Sequence, residues 1–394
     1  MAFPERFSNL PAYAFPRLRA LLDPHAPGAE PINMTIGEPT HAFPDWVPQI
    51  IAENAAGFGR YPANDGTPDL QAAISGWIAR RYGVTLDPTT QILPLNGTRE
   101  GLFNACIALC PEEKQGARPV VLTPNPFYQV YAVAALAVGA EPVYVPATDA
   151  TGNLPDYASL PEDVLNRTAV AYICSPANPQ GAVASSAYWR DLIGLAERYD
   201  FQIFADECYS EIYRDIPPLG ALQVAAQMGA DPERVVLFNS LSKRSNLAGL
   251  RSGFAAGGPE SVKRLKQLRA YAGAPLPVPL QAVATRAWSD EDHVIANRAL
   301  YAEKYAIADE VFAGLQGYAS PEAGFFLWLP VDDDEAATLK LWREAGVRVL
   351  PGSYFAREVN GHTPGADRIR VAMVAEKDDM RRGLIKLRDC LYAT

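Results

Sequence analysis

Short apolar runs alternate with amphipathic stretches through the first two thirds of the chain. The apolar runs lie at residues 120–123, 170–174, 201–205 and 235–238. The stretches between them, such as residues 188–199, are longer and predict helices. Nearly continuous apolar strands that alternate with helices predict a mostly parallel sheet with helices on both faces. The pattern therefore indicates an α/β fold.

Polar residues that can carry chemistry follow directly after each of these strands. They are Tyr128, Asn178, Asp206 with Tyr209, and Lys243. In mostly parallel sheets, ligands bind at the carboxyl ends of the strands. The positions of these residues therefore predict one shared site at that edge of the sheet.

An earlier strand, residues 92–95, leads through a glycine turn into a helix that begins near Thr98. The free N–H groups at the start of such a helix can bind a phosphate. The segment is equally consistent with an ordinary connection between a strand and a helix. Another helix is predicted after Thr67, with Thr67 as the N-cap and Pro68 at the first position. Tyr61 lies in the loop before it.

The pattern changes beyond about residue 258. A basic helix at 261–272 is followed by the breaker-rich segment 273–279, where we predict a domain boundary. A long helix through 299–312 then precedes three strands of an α+β domain. These strands are predicted at 325–329, 347–350 and 368–374. The predicted division is 1–45 as an N-terminal arm and part of the small domain, 46–274 as the large domain, and 275–394 as the C-terminal small domain.

Composition limits the classes of partner. The 394 residues carry a net charge of −10 and the pI is near 5.1, which argues against binding to nucleic acid or to an anionic membrane. No signal peptide or transmembrane run is visible, and the five cysteines form no Cys-x-x-Cys pair, so we expect a cytoplasmic protein. Four scattered histidines predict no metal site.

The loop after the strand 235–238 carries the most specific chemistry. It contains Ser240, Ser242, Lys243 and Arg251. Nearby positive charge and burial favour the neutral amine of a lysine, which is the form that condenses with an aldehyde. The hydroxyls and the guanidinium are suitable donors for a phosphate. The combination predicts pyridoxal phosphate (PLP), bound through a Schiff base, although a basic surface loop with a chance lysine has the same composition.

The other strand-end residues have roles around the same ring. Asp206 would pair with the ring nitrogen, and Tyr209 and Asn178 would bond the phenolate oxygen. Lys243 would move the proton between Cα and the cofactor. Arg370 lies in an apolar strand and needs an anionic partner, which is either a protein carboxylate or the α-carboxylate of a substrate.

In their order along the chain, these motifs resemble those of class I/II aminotransferases of PLP fold type I. They are Asn178-Pro179, Asp206-x-x-Tyr209, Ser240-x-Ser242-Lys243 and Arg251. The resemblance spans nearly the whole chain and implies a large domain with a mostly parallel seven-stranded sheet between helices. A smaller α+β domain would be formed by both termini. The motif Asn-Pro-Gln-Gly in place of Asn-Pro-Thr-Gly, and Ser252 after the arginine, depart from the usual pattern without touching a catalytic atom.

The resemblance also implies further site residues and a homodimer. Gly97, Thr98 and Arg99 would form the phosphate-side turn, and Tyr128 would stack on the ring. Arg370, with Gly37 and Asn178, would contact the substrate. Tyr61 would reach the phosphate of the partner subunit's cofactor.

Segments 244–253 and 125–129 most resemble those of N-succinyldiaminopimelate aminotransferases. This implies glutamate as the donor and N-succinyl-2-amino-6-oxopimelate as the acceptor, in lysine biosynthesis. A dicarboxylic substrate needs a second cation, for which Arg99 and Arg244 are candidates unless both are solvated surface residues.

Four alternatives remain from the sequence. The first two keep the same cofactor residues: an aminotransferase of aspartate, aromatic or alanine type, and a PLP-dependent β-lyase. A dinucleotide-binding dehydrogenase would need a Gly-x-Gly-x-x-Gly motif after an early strand, which the sequence lacks. A DNA-binding regulator would need a basic module that residues 1–45 do not supply.

Overall fold

The computed structural model describes residues 5–8, 10 and 12–393. The helices are α1 (Ala14–Leu22), α2 (Val47–Glu53), α3 (Pro68–Tyr82), α4 (Thr98–Leu109), α5 (Gln129–Ala137), α6 (Glu162–Arg167), α7 (Ser186–Tyr199), α8 (Ala221–Met228), α9 (Leu241–Arg244), α10 (Pro259–Ala272), α11 (Val278–Ser289), α12 (Asp292–Val311), α13 (Asp334–Ala345) and α14 (Lys377–Leu391). The strands are β1 (Ile32–Asn33), β2 (Ile92–Leu95), β3 (Val120–Asn125), β4 (Glu141–Pro146), β5 (Thr168–Cys174), β6 (Gln202–Asp206), β7 (Val235–Ser240), β8 (Gly253–Ala256), β9 (Phe326–Pro330), β10 (Val347–Arg348), β11 (Leu350–Pro351) and β12 (Arg368–Ala372).

The large sheet has seven strands in the order β2-β8-β7-β6-β5-β3-β4. Strand β8 runs antiparallel to both of its neighbours, and the other pairs are parallel. Every residue of β3, β5 and β7 is buried, because helices cover both faces. The predicted α/β class and the mostly parallel seven-stranded sheet are confirmed.

Local signals explain where the helix after the first loop begins and ends. The Thr67 side chain accepts a hydrogen bond from the Leu70 amide at 3.4 Å, and Pro68 occupies the first helical position of α3. Gly83 ends the helix in the left-handed conformation, with a φ of 67°. The start of α3 is therefore the one that the sequence predicts.

A second apolar core combines residues from both ends of the chain. Ile32 of β1 pairs with Val347 of β10, and Ile32 and Met34 pack in the same cluster as residues of β9, β12 and α14. Strands β9 and β12 of the antiparallel sheet β11-β12-β9 contribute side chains to this core. The single strand predicted at 347–350 is wrong: it divides at Val349 into β10 and β11, which belong to different sheets.

Helix α11 packs in the core beside the large sheet, although it follows the domain boundary predicted at residue 275. Ala287 and Trp288 of α11 lie in the same core cluster as Trp77 of α3. The domain limits stay a prediction, and this packing favours a boundary after α11.

None of the helices in the described part of the chain combines the length and the apolar character needed to cross a membrane.

Candidate active site

A cavity of about 290 Å³ opens at the carboxyl edge of the large sheet, beside β9 and β12. Its size is close to the lower end of the range for small-molecule sites, roughly 300 Å³. Most of the residues predicted from the sequence line it together. They are Gly37, Thr98, Arg99, Tyr128, Asn178, Asp206, Tyr209, Ser240, Ser242, Lys243, Arg251 and Arg370.

Lys243 lies on the short helix α9, directly after β7. Burial lowers the pKa of its amine to about 8, and the positive charges of Arg370 and Arg251 act in the same direction. The amine donates a hydrogen bond to the carbonyl of Gly37. A Cβ on Gly37 would lie 2.5 Å from Cζ of Phe326, so a side chain does not fit there. Lys243 thus provides a half-buried amine with a substantial neutral fraction near pH 8.

Asp206 ends β6 and its carboxylate is buried in the cavity wall. The Tyr131 hydroxyl donates to Oδ2 at 2.7 Å, and the Cys208 amide donates to Oδ1 at 3.3 Å. Burial raises the pKa of Asp206, while these two hydrogen bonds favour the ionised form and oppose the rise. Sequence reasoning missed Tyr131, which lies in the first turn of α5, three residues after the N-cap residue Tyr128.

Arg370 of β12 contributes a buried guanidinium to the cavity. Its Nη1 donates to Oδ1 of Asn178 at 3.0 Å, and its Nη2 donates to the Thr35 carbonyl at 2.8 Å. The rings of Phe326 and Phe355 lie 4.2 and 4.3 Å from its Cζ. Burial lowers the pKa of Arg370 to about 10.

No carboxylate of the described residues forms an ion pair with Arg370, and its Nε has no hydrogen-bond partner there. The sequence left open two anionic partners for Arg370, a protein carboxylate and a substrate carboxylate. Within the described residues, the structure excludes the protein carboxylate. A buried cation of this kind is suited to the carboxylate of a ligand.

The opposite part of the cavity is a cluster of donors around the start of α4. The Ser240 and Ser242 hydroxyls lie 2.9 Å apart, and Arg251 donates through Nη1 to the Ala248 carbonyl at 2.9 Å. Gly97 precedes α4 with a φ of 85°, and a Cβ there would lie 2.3 Å from Nη2 of Arg251. The glycine therefore leaves room for the guanidinium beside the helix N-terminus.

This donor set fits PLP. Two hydroxyls, a guanidinium and the N-terminus of a helix fit its phosphate. The Lys243 amine fits its aldehyde, and the buried Asp206 carboxylate fits its ring nitrogen. Tyr209 and Asn178 line the same cavity.

Three of the site candidates do not line this cavity: Gly97, which lies behind Arg251, and two residues farther away, Tyr61 and Arg244. Tyr61 is fully exposed to solvent. Arg244 is buried on the far side of α9, where it donates to the Ala287 carbonyl at 2.6 Å and pairs with Glu291 at 2.8 Å. Arg244 as the cation for a second carboxylate is therefore wrong.

Arg99 does line the cavity, and its Nε donates to the Tyr128 hydroxyl at 2.9 Å.

Thr35 and Phe355, which contact Arg370, were not predicted from the sequence, because neither belongs to a motif and both come from distant parts of the chain.

Residues 29–386 match the family model described as "Aminotransferase class I and II". The chain is 32% identical to the LL-diaminopimelate aminotransferase of Syntrophobacter fumaroxidans, over 98% of this chain and 97% of that one.

Solved structures are similar over the same extent. An aminotransferase from Neisseria meningitidis has a TM-score of 0.92 and 37% identity, covering 97% of this chain and 98% of that one. A probable N-succinyldiaminopimelate aminotransferase from Thermus thermophilus has a TM-score of 0.82 and 27% identity, and the match covers 96% of this chain and 98% of that one.

Proposed function

The chain belongs to the class I and II family of PLP-dependent aminotransferases, and from that premise we propose that it transfers the amino group of glutamate to N-succinyl-2-amino-6-oxopimelate. One observation carries the amino-acid specificity of the proposal. The buried guanidinium of Arg370 has no carboxylate partner among the described residues and lines the same cavity as the low-pKa amine of Lys243. An α-amino acid presents the carboxylate that Arg370 can bind and, next to it, the Cα proton that the neutral amine of Lys243 can accept.

When bound, PLP supplies the aldehyde that accepts the amino group and a ring that withdraws electrons from Cα. Ser240, Ser242 and Arg251 would hold its phosphate. Asp206, whose ionised form is favoured by the hydrogen bond from Tyr131, would hold a proton on the ring nitrogen. These residues would hold the cofactor, while Lys243 acts on the substrate.

Arg370 orients the substrate by its α-carboxylate, and Asn178 fixes the guanidinium from one side. Lys243 in its neutral form accepts the proton from Cα and returns it as a general acid. The pKa of about 8 suits both directions of this transfer near neutral pH.

The name of the Thermus protein supports the N-succinyl acceptor. The name of the Syntrophobacter protein favours a second candidate, LL-diaminopimelate, in which the distal amine is free. Purified enzyme should be assayed in the reverse direction with N-succinyl-LL-diaminopimelate and with LL-diaminopimelate as amino donors, and with 2-oxoglutarate as the amino acceptor. A higher kcat/KM with the free compound would replace the N-succinyl proposal by the second candidate.

The first experiment is a titration of the holoenzyme with glutamate while its absorption is recorded. Loss of the yellow absorption, and its return on addition of 2-oxoglutarate, is the expected result. A yellow protein that ignores glutamate but reacts with another amino acid would refute the donor. Release of ammonia and a thiol from a thioether amino acid would indicate a β-lyase instead. A protein that cannot be loaded with PLP would overturn the proposal.

We also propose that the protein acts as a homodimer in which Tyr61 reaches the phosphate of the partner subunit's cofactor. Full exposure of this ring in a single subunit supports the proposal. Light scattering should give a dimer, and Tyr61→Phe should weaken PLP binding. A monomer of full activity would contradict it.

A further inference from the structure

We infer that Asn297 is a positioning residue for Lys243. Its side chain connects the main chain of Lys243 to the segment that contains Gly37, whose carbonyl accepts a hydrogen bond from the Lys243 amine. The inference goes beyond the proposed function, because it concerns the reaction of this amine with PLP and does not depend on which amino acid is the substrate.

Asn297 is a buried amide that does not line the cavity. It belongs to α12 and is 5% exposed. The same helix contributes Tyr301 and Tyr305 to the second apolar core, which gives α12 a fixed position beside the large sheet. Any effect of Asn297 on the site must therefore pass through the groups to which it is hydrogen-bonded.

The first of these groups is the main chain of Lys243. Nδ2 of Asn297 donates to the Lys243 carbonyl at 3.4 Å. Helix α9 has four residues, and the last carbonyls of a helix have no partner within the helix itself. The amide of Asn297 thus provides a donor to the main chain from which the Lys243 side chain extends.

The amide oxygen of Asn297 accepts two further hydrogen bonds. Nδ2 of Asn246 donates to Oδ1 at 3.1 Å, and Nδ1 of His41 lies 2.9 Å from the same oxygen. Asn246 follows α9 with a φ of 54°, so Asn297 also holds the turn after the helix. A carbonyl can only accept, so Nδ2 of Asn297 must face Lys243 and Oδ1 must face the other two residues.

The bond to His41 connects the same amide to the acceptor of the lysine amine. His41 lies four residues after Gly37, and its ring centroid is 4.7 Å from that of Tyr301 on α12. Asn297 therefore restrains Lys243 at its main chain and, through His41, restrains the segment whose Gly37 carbonyl accepts from its amine. The rate at which two groups react depends strongly on such restraint of their relative position.

The test measures two properties of the apoenzyme: the rate of covalent PLP uptake, followed by absorption, and the binding of pyridoxine 5′-phosphate, followed by fluorescence. Pyridoxine 5′-phosphate has the same ring and phosphate but no aldehyde, so it cannot react with Lys243. Asn297→Ala should slow the covalent uptake of saturating PLP about tenfold and leave the Kd of pyridoxine 5′-phosphate unchanged. Asn297→Asp at alkaline pH keeps the size and the acceptor oxygen and removes only the donor to Lys243, so it should slow uptake to a similar extent.

Gln281→Ala is the matched control. Gln281 is a buried amide of α11 that also joins two segments, since it accepts from the Thr67 amide at 2.7 Å and donates to the Leu276 carbonyl at 2.6 Å. Gln281→Ala and Asn297→Ala should lose similar stability in urea unfolding, but the control should leave the rate of PLP uptake unchanged. Equal slowing in both variants, or a loss of pyridoxine 5′-phosphate binding as large as the loss of rate, would mean that Asn297 has only a structural role and would overturn the inference.

A single turnover of the holoenzyme with glutamate gives a second readout. Asn297→Ala should lower the rate about tenfold at an unchanged Kd for glutamate, and glutamate deuterated at Cα should show a larger isotope effect, because proton transfer by Lys243 becomes the slowest step. If glutamate is not transaminated but PLP uptake depends on Asn297, the proposed function fails and this inference stands. Uptake that neither Asn297 variant slows would overturn the inference even if glutamate is transaminated.

Discussion

Removing the Tyr131 hydroxyl tests how the protein controls the ionisation of the buried Asp206 carboxylate. In Tyr131→Phe, Asp206 loses its 2.7 Å hydrogen bond and keeps the longer one from the Cys208 amide, at 3.3 Å. A hydrogen bond to a charged group contributes about 1.5–3 kcal/mol. Since one pKa unit corresponds to about 1.36 kcal/mol, the Asp206 pKa should rise by about 1–2 units. The pKa of Asp206 rises because the lost hydrogen bond favours the ionised carboxylate, whereas burial already favours the neutral one.

The assay is the single-turnover reaction of the holoenzyme with saturating glutamate, followed by absorption from acidic to alkaline pH. A less ionised Asp206 holds the ring proton less well, so the rate should fall about tenfold, which corresponds to about 1.4 kcal/mol in the barrier. The acidic limb of the profile should also move to higher pH.

Tyr172→Phe is the matched control. Tyr172 is equally buried and stacks on Tyr131 at 4.5 Å, but its hydroxyl donates to the Leu102 carbonyl and not to Asp206. Both variants lose one buried hydroxyl and should lose similar stability in urea unfolding. Equal rates and equal pH profiles for the two variants would refute the role given to Tyr131.

Three further predictions concern the rest of the cavity. Gly97→Ala should raise the dissociation constant of PLP about tenfold or more, because its Cβ would lie 2.3 Å from Nη2 of Arg251, and fluorescence titration would measure this. Gly83→Ala is the control, with a similar positive φ and open space around the added Cβ; an equal effect would mean that backbone strain alone is responsible. Arg370→Gln should lower kcat/KM for every amino donor by a common factor of about 100, since all share the α-carboxylate, and an effect on one donor only would contradict this. The rate at which apoenzyme takes up PLP covalently should rise with pH and level off above about 8, as the Lys243 amine loses its proton; a rise that continues toward pH 10 would mean an ordinary lysine.

The family predicted from the motifs is confirmed by the match to residues 29–386. These motifs were visible because each lies in one short segment at the end of a strand. Topology then brings the segments together without further information, since parallel strands end at the same edge of a sheet. The roles assigned to the individual site residues stay predictions.

Other features depend on contacts between distant segments. The strand at 347–350 divides because its two halves pair with different partners, β1 from the N-terminus and β12 from the C-terminus. Thr35 and Phe355 contact Arg370 only because both ends of the chain meet beside the large sheet. No local pattern records such contacts.

The sequence by itself determined the alternation of strands and helices, and with it the edge of the sheet where the site lies. Only the tertiary structure excluded one of the two arginines considered for a second carboxylate. Arg244 follows Lys243 directly on α9, and neighbouring residues of a helix point about 100° apart, so the helix that directs Lys243 into the cavity directs Arg244 away to Glu291. Arg99 lies on another helix, and the packing of α4 beside β2 and α5 brings it to the cavity and to Tyr128.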